Sequence, residues 1–196
     1  MIDSKLRKQV QPAIDQLAKL LNKTKLTPNQ LTVLAFITGI IAGGVIGLGF
    51  YLVGIILLWL SGLLDVLDGT LARIQQKPSK IGAYMDLIFD RLVEAAVILG
   101  FYFSAPEHTV AYLIFFVGAM FNFTTFTVAG ALFNNTGNKS MHYDIGIVER
   151  TKTFIFFTLM VIFKAQIFPI LMAFNFIMIL TGCMRFYRIV RYAERL

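Results

Sequence analysis

Asp65 and Asp68 stand three residues apart and Asp86 and Asp90 four apart, so each pair presents two carboxylates on one face of the helix that carries it. These are four of the chain's seven aspartates, gathered within 26 residues. The segments around them are apolar, and a carboxylate inside a membrane segment needs a partner, a metal or a wet cavity. A short connection, Gln75 to Lys80 with Pro78 inside it, joins the two segments. It predicts antiparallel neighbouring helices whose acidic faces converge. Four converging carboxylates repel one another, so they either take up protons or bind a hard cation such as Mg2+, Mn2+ or Ca2+ through oxygen. No Cys or His lies close by, which argues against zinc. The plainer alternative is a set of acids, protonated or paired with Arg73 and Arg91, that merely holds two helices together.

Gly69 follows Asp68, and Gly82 opens the next apolar segment. Both positions allow a ligand or a neighbouring backbone to approach where a side chain would block it, and ordinary close packing explains them equally well. Arg73 lies four residues after Gly69, one helical turn further along the same face, where it is able to meet a phosphate or simply end a helix by snorkelling to the interface.

The elements that must position these residues follow from composition. The chain has 196 residues, 57% of them hydrophobic and only 15% charged. That is too apolar for an ordinary soluble domain, and six helices of about 20 residues use nearly all of it. A large extramembrane catalytic domain is excluded. The expected class is an all-α integral membrane protein with six transmembrane helices, at residues 31–49, 51–74, 81–103, 110–133, 145–163 and 168–190, with Thr27 as N-cap and Pro28 at the first helical position of the first span. Ahead of them, Ile2, Leu6, Val10, Ile14, Leu17 and Leu21 recur at helical spacing among Lys5, Arg7, Lys8, Lys19 and Lys23. This predicts an N-terminal amphipathic helix at the lipid interface, the alternative being a helix packed on the protein's own cytoplasmic side. The division is therefore residues 1–25 as interfacial helix and residues 26–196 as the transmembrane catalytic domain. No cleavable signal peptide is expected, since the first 25 residues lack a short apolar core followed by small residues.

Lys and Arg number 18 against 11 Asp and Glu, a net charge of +7. Nucleic acid is not the expected partner, because the location of these charges matters more than their sum. With a cytoplasmic N-terminus, Arg73, Lys77, Lys80, Arg91, Lys139, Arg150, Lys152, Arg185, Arg188, Arg191 and Arg195 all fall at cytoplasmic ends, whereas the opposite breaks hold only Lys164. Both termini and the aspartates are thus expected on the cytoplasmic side. Gly39, Gly43, Gly44 and Gly47 on the first span suggest close helix contact. The single Cys183 excludes an intramolecular disulfide. The many phenylalanines of the fourth and fifth spans are read as lipid-facing or packing groups, with no cofactor.

Taken together, the residues form Asp65-x-x-Asp68-Gly69-x-x-Ala72-Arg73, eight intervening residues, then Gly82-x-x-x-Asp86-x-x-x-Asp90. This resembles the signature of the CDP-alcohol phosphotransferase (CDP-alcohol phosphatidyltransferase) family at all eight specified positions. Pro28-Asn29-x-x-Thr32 is similar to the segment that often opens the family's first span. The resemblance implies transfer of a substituted phosphate from a CDP-linked lipid donor, CDP-diacylglycerol or an ether-lipid counterpart, to the hydroxyl of a small polar alcohol, with release of CMP. It implies Mg2+ or Mn2+, as two ions, held by Asp65, Asp68 and Asp86. Asp90 would be the general base with a further contact to the second ion. Gly69, Ala72, Arg73 and Gly82 would surround the CDP group. The family often forms homodimers, which the charge pattern here does not establish.

For the acceptor, Lys139, Arg150, Lys152, Arg185 and Arg188 are candidates to hold a phosphate, although positive-inside bias alone also requires them. Gly146-Ile147-Val148-Glu149-Arg150 resembles a segment of family members that use polyol phosphates. Many of those carry a second basic residue where this chain has Thr153. The lean is to inositol phosphate or glycerol phosphate, with serine or an amino alcohol as the alternative. The rival from another class is an ion or proton transporter, which leaves Gly69, Arg73 and Gly82 at fixed spacing unexplained. A catalytically silent scaffold leaves the clustered acids without a purpose.

Overall fold

The computed structural model describes residues 2–132 and 150–194, and every regular element there is helical. The chain divides into two compact units, Met1–Pro106 and Glu107–Leu196. The first holds α1 (Ile2–Asn22), α2 (Pro28–Gly47), α3 (Tyr51–Ile74) and α4 (Lys80–Ser104). The second holds α5 (Thr109–Leu132), α6 (Arg150–Ile162) and α7 (Ile167–Ala193), with short 3-10 turns at Pro106–His108 and Lys164–Gln166.

Four helical stretches are long and apolar enough to cross a membrane: α2, α3, α5 with its leading turn, and α7 with its leading turn. α4 matches them in length but carries Asp86, Asp90, Arg91 and Glu94. The described part of α6 is shorter than a span, with 13 residues.

In the first unit, α2 is the central helix. Thr27 caps it in a capping box: its hydroxyl accepts from the Gln30 N–H at 3.3 Å, and the Gln30 side chain accepts from the Thr27 N–H at 2.9 Å. Pro28 at the first helical position has no N–H to leave unsatisfied. Gly49, at φ +85°, turns the chain into α3. Both α3 and α4 pack along α2 rather than chiefly on each other, so the hairpin expected from the short connection is opened around a third helix. The reason lies on the α2 surface. A methyl group on Gly43 would come within 2.5 Å of the Ala96 carbonyl oxygen, one on Gly39 within 2.5 Å of the Val93 side chain, and one on Gly100 would press on the Gly43 carbonyl. Glycine on both sides lets the backbones of α2 and α4 meet. On the other flank the Ser61 hydroxyl donates to the Ala35 carbonyl at 2.7 Å, tying α3 to α2.

α1 lies against the same unit. Its Ile14 and Ala18 are buried with Leu31, Leu67 and Leu71, while Leu17 and Leu20 are exposed. The Gln75 amide, at the end of α3, donates to the Asn22 side chain at 3.2 Å and to the Leu26 carbonyl at 3.3 Å, fastening the end of α1 beside the end of α3.

The second unit has an aromatic core. Tyr112, Phe115, Phe157 and Phe174 are almost fully buried, and the rings of Phe115 and Phe174 stack at 5.9 Å. The phenylalanines singled out in the sequence thus include true packing groups. The Asn175 amide donates to the Ala111 carbonyl at 2.9 Å, a polar tie between α7 and α5 inside that core.

Candidate active site

Asp65 and Asp68 occupy the second half of α3, and Asp86 and Asp90 the first half of α4. One carboxylate oxygen from each of Asp65, Asp86 and Asp90 lies within 4.8 Å of the other two, and all three residues are half-buried. Asp68 is 8% exposed and stands outside this trio, yet its charge is near enough to act on Asp86, as are those of Asp65 and Asp90. Because α3 and α4 pack on α2, carboxylates rather than backbones bridge the space between them.

The donor set tests whether a metal suits the site. Three carboxylate oxygens at this spacing, half-buried and with no sulfur or imidazole in the group, fit a hard divalent cation that shares its coordination with substrate phosphates. The arginines of the plainer reading are engaged on their own helices. Arg73 donates from Nη2 to the Thr70 hydroxyl at 2.9 Å, and Arg91 pairs with Glu94 at 2.9 Å.

The two glycines of the motif differ. A methyl group on Gly69 would meet only the Arg73 guanidinium, at 4.0 Å, so packing does not require glycine there and the surface stays open toward Arg73. A methyl group on Gly82 would sit 3.0 Å from the Ser79 hydroxyl and 3.1 Å from the Asn29 amide oxygen. Ser79 caps α4, accepting from the Gly82 N–H at 2.9 Å, so Gly82 lets the first turns of α4 and α2 approach. Ala72 is half-buried and Arg73 exposed on the last turns of α3.

Sequence reasoning passed over Glu94, which is 5% exposed. Its signal was present: it continues the four-residue spacing of Asp86 and Asp90.

The acceptor candidates belong to the second unit. Arg185 is 7% exposed and donates from Nη1 to the Asn122 carbonyl at 2.8 Å and to the Asn122 side-chain oxygen at 2.6 Å, with Phe126 5.4 Å beneath its guanidinium. Such a buried, hydrogen-bonded arginine does more than obey charge topology. Arg188 is exposed and Lys152 half-buried, while Thr153 is buried at 2%. Arg150 begins α6. Lys139 and residues 146–149 lie outside the described residues.

Helices long and apolar enough to cross a membrane, with carboxylates converging between α3 and α4, make a membrane-protein site suited to a divalent cation. The chain belongs to the CDP-alcohol phosphatidyltransferase family, whose sequence model matches residues 25–185. It is 34% identical over 173 residues to the inner membrane protein YnjF of Escherichia coli (strain K12), covering 84% of both chains. It is 36% identical over 97 residues to an archaetidylinositol phosphate synthase of Pyrococcus horikoshii, a match spanning 50% of this chain and 52% of that one. Its fold is similar to that of Mycobacterium tuberculosis phosphatidylinositol phosphate synthase solved with manganese and citrate, with a TM-score of 0.77 at 20% identity over 90% of this chain and 88% of that one. The same enzyme with CDP-DAG bound gives a TM-score of 0.68 at 22% identity over 92% of each chain. The chain is accordingly a transferase of phospholipid biosynthesis, which moves a substituted phosphate from a CDP-linked donor to the hydroxyl of an alcohol and releases CMP.

Proposed function

We propose that the acceptor is inositol phosphate and that the chemistry is carried out by Asp65, Asp68, Asp86 and Asp90. The observation that carries this reading is the convergence of Asp65, Asp86 and Asp90 within 4.8 Å. Asp65, Asp68 and Asp86 would hold Mg2+ or Mn2+, as two ions, with Asp90 as a further ligand. Ions bound there would supply charge neutralisation for the departing CMP. Asp90 accepts the proton of the acceptor hydroxyl as that oxygen attacks the phosphorus on the lipid side. Gly69 leaves room for the CDP group, with Ala72 beside it, Arg73 directed at a phosphate and Gly82 shaping the start of α4.

The names of the relatives support the acceptor: an archaetidylinositol phosphate synthase and a phosphatidylinositol phosphate synthase both make inositol-phosphate lipids. Arg185, aided by Lys139, Arg150, Lys152 and Arg188, holds the acceptor phosphate, and its burial and Asn122 partners support that role. Thr153, in place of a second basic residue, leaves serine or an amino alcohol as the alternative.

The membrane arrangement is six spans, α2 to α7, in a catalytic domain of residues 26–196. Residues 1–25 rest on the lipid interface, and exposed Leu17 and Leu20 beside Lys19 and Lys23 support contact with lipid. Both termini and the aspartates face the cytoplasm, where nucleotide and alcohol arrive from water while the acyl chains stay in the bilayer.

The test is CMP release by the purified protein in lipid, with CDP-diacylglycerol and Mg2+ or Mn2+, across inositol phosphate, glycerol phosphate, serine, inositol and ethanolamine. Release stimulated by inositol phosphate and abolished by chelation is expected. Stimulation by serine or ethanolamine alone overturns the acceptor. Cation flux without any CMP release returns the transporter.

A further inference from the structure

Glu94 sits one helical turn beyond Asp90, so Asp86, Asp90 and Glu94 form one series at four-residue intervals on α4. Unlike Asp86 and Asp90 it is fully buried, at 5% exposure, and it is not part of the converging trio. Its Oε2 lies 2.9 Å from Nη1 of Arg91. Among the described residues this is the ion pair that Arg91 makes, and the Arg91 Nε–H is buried with no acceptor. Arg91 directly follows Asp90, and its guanidinium is permanently charged. With the Arg91 side chain 37% exposed, solvent screens the attraction while burial of the Glu94 carboxylate still costs desolvation, so the pair adds little to the stability of the fold. Stability alone therefore does not account for placing one here.

We propose that Glu94 neutralises Arg91 so that the aspartates retain their full affinity for divalent cations. Glu94 is a positioning residue that acts through Arg91, not a ligand. The inference rests on the reading of Asp65, Asp68, Asp86 and Asp90 as a metal site. In a protein interior with an effective dielectric of about 20, an uncompensated positive charge repels a divalent ion over roughly 10 Å, whereas the paired charges cancel at that range. Without Glu94 the guanidinium also becomes available to the aspartates themselves, in competition with the cation.

The experiment is Mn2+ binding to the purified protein in detergent, read by the paramagnetic resonance of free Mn2+, for wild type, Asp65→Asn, Glu94→Gln, Arg91→Gln and the double variant Arg91→Gln/Glu94→Gln. Glu94→Gln is expected to bind more weakly by about tenfold or more, and the double variant to return to within about threefold of wild type. Arg91→Gln should bind at least as tightly as wild type. Merely structural damage is not rescued by removing a second charge. Wild-type binding in Glu94→Gln, or a double variant as weak as Glu94→Gln, overturns the inference. Should Glu94→Gln fail to purify as a folded protein, weaker binding in Arg91→Gln overturns it alone. Absence of Mn2+ binding in wild type, or undiminished binding in Asp65→Asn, removes the metal-site reading and this inference with it.

Discussion

Asp90 lies on α4 one turn after Asp86, half-buried and within reach of Asp65 across from α3. On the proposed reading it takes the acceptor's proton, a role that contributes roughly 10²- to 10⁴-fold to rate. Asp90→Asn keeps the size of the side chain and removes its basicity. Turnover should therefore fall by about 10²-fold or more while binding of the CDP-linked donor survives. Near-normal CMP release from that variant would remove Asp90 from the mechanism. The motif glycines also part company at this scale: Gly82 is accounted for by Ser79 and Asn29, but Gly69 faces open space beside Arg73. On the proposed reading, the space beside Gly69 takes the CDP group.

The helix that matters most for the site contributes none of the aspartates. α2 sets the separation of α3 and α4, through Ser61 on one flank and glycine contacts with α4 on the other. Gly100→Ala drives a methyl group into the Gly43 carbonyl, a backbone atom that cannot rotate away. Overpacking of this kind costs about 1–3 kcal/mol, more than the ~1 kcal/mol that alanine recovers over glycine in a helix. The variant should melt at lower temperature in detergent and lose CMP release as the aspartates move apart. Gly44→Ala is the control, since Gly44 has nothing within 4 Å of the added methyl. It should melt no lower than wild type; equal melting losses in both variants would show that the α2–α4 contact is not what spaces the site.

For the whole molecule, the proposed six spans would have parity as their consequence: both ends of the chain would share one side, and the turn before α5 would face the other. In a Cys183→Ser background, Lys23→Cys and Glu194→Cys should react with a membrane-impermeant maleimide only in inverted vesicles, and Glu107→Cys only from outside intact cells. Labelling of Lys23→Cys and Glu107→Cys from the same side would break the proposed arrangement. On the proposed reading, parity matters for catalysis because CMP and a phosphorylated acceptor are charged and the donor is a lipid. A site at one interface serves all three without carrying charge across the bilayer.

The chemistry was legible in the chain because it depends on residue type and local spacing. Carboxylates three and four apart share a helix face whatever surrounds them, and Thr27-Pro28 caps α2 by its own side-chain and ring geometry. Most helix limits were legible for a similar reason, since long apolar runs end at polar or proline-bearing breaks; α3 runs over the same residues, 51–74, that hydropathy marks. Which helices touch was not legible. The short link between α3 and α4 predicted a hairpin, but glycine faces on α2 and α4 offered closer backbone approach, and α2 became the neighbour of both. The fate of the charges also waited on the fold: Arg91 was open to pairing with the aspartates and Arg185 to topology or an acceptor phosphate, and the structure gives one to Glu94 on its own helix and the other to Asn122. Burial and partners are properties of packing between distant segments, which local sequence does not encode.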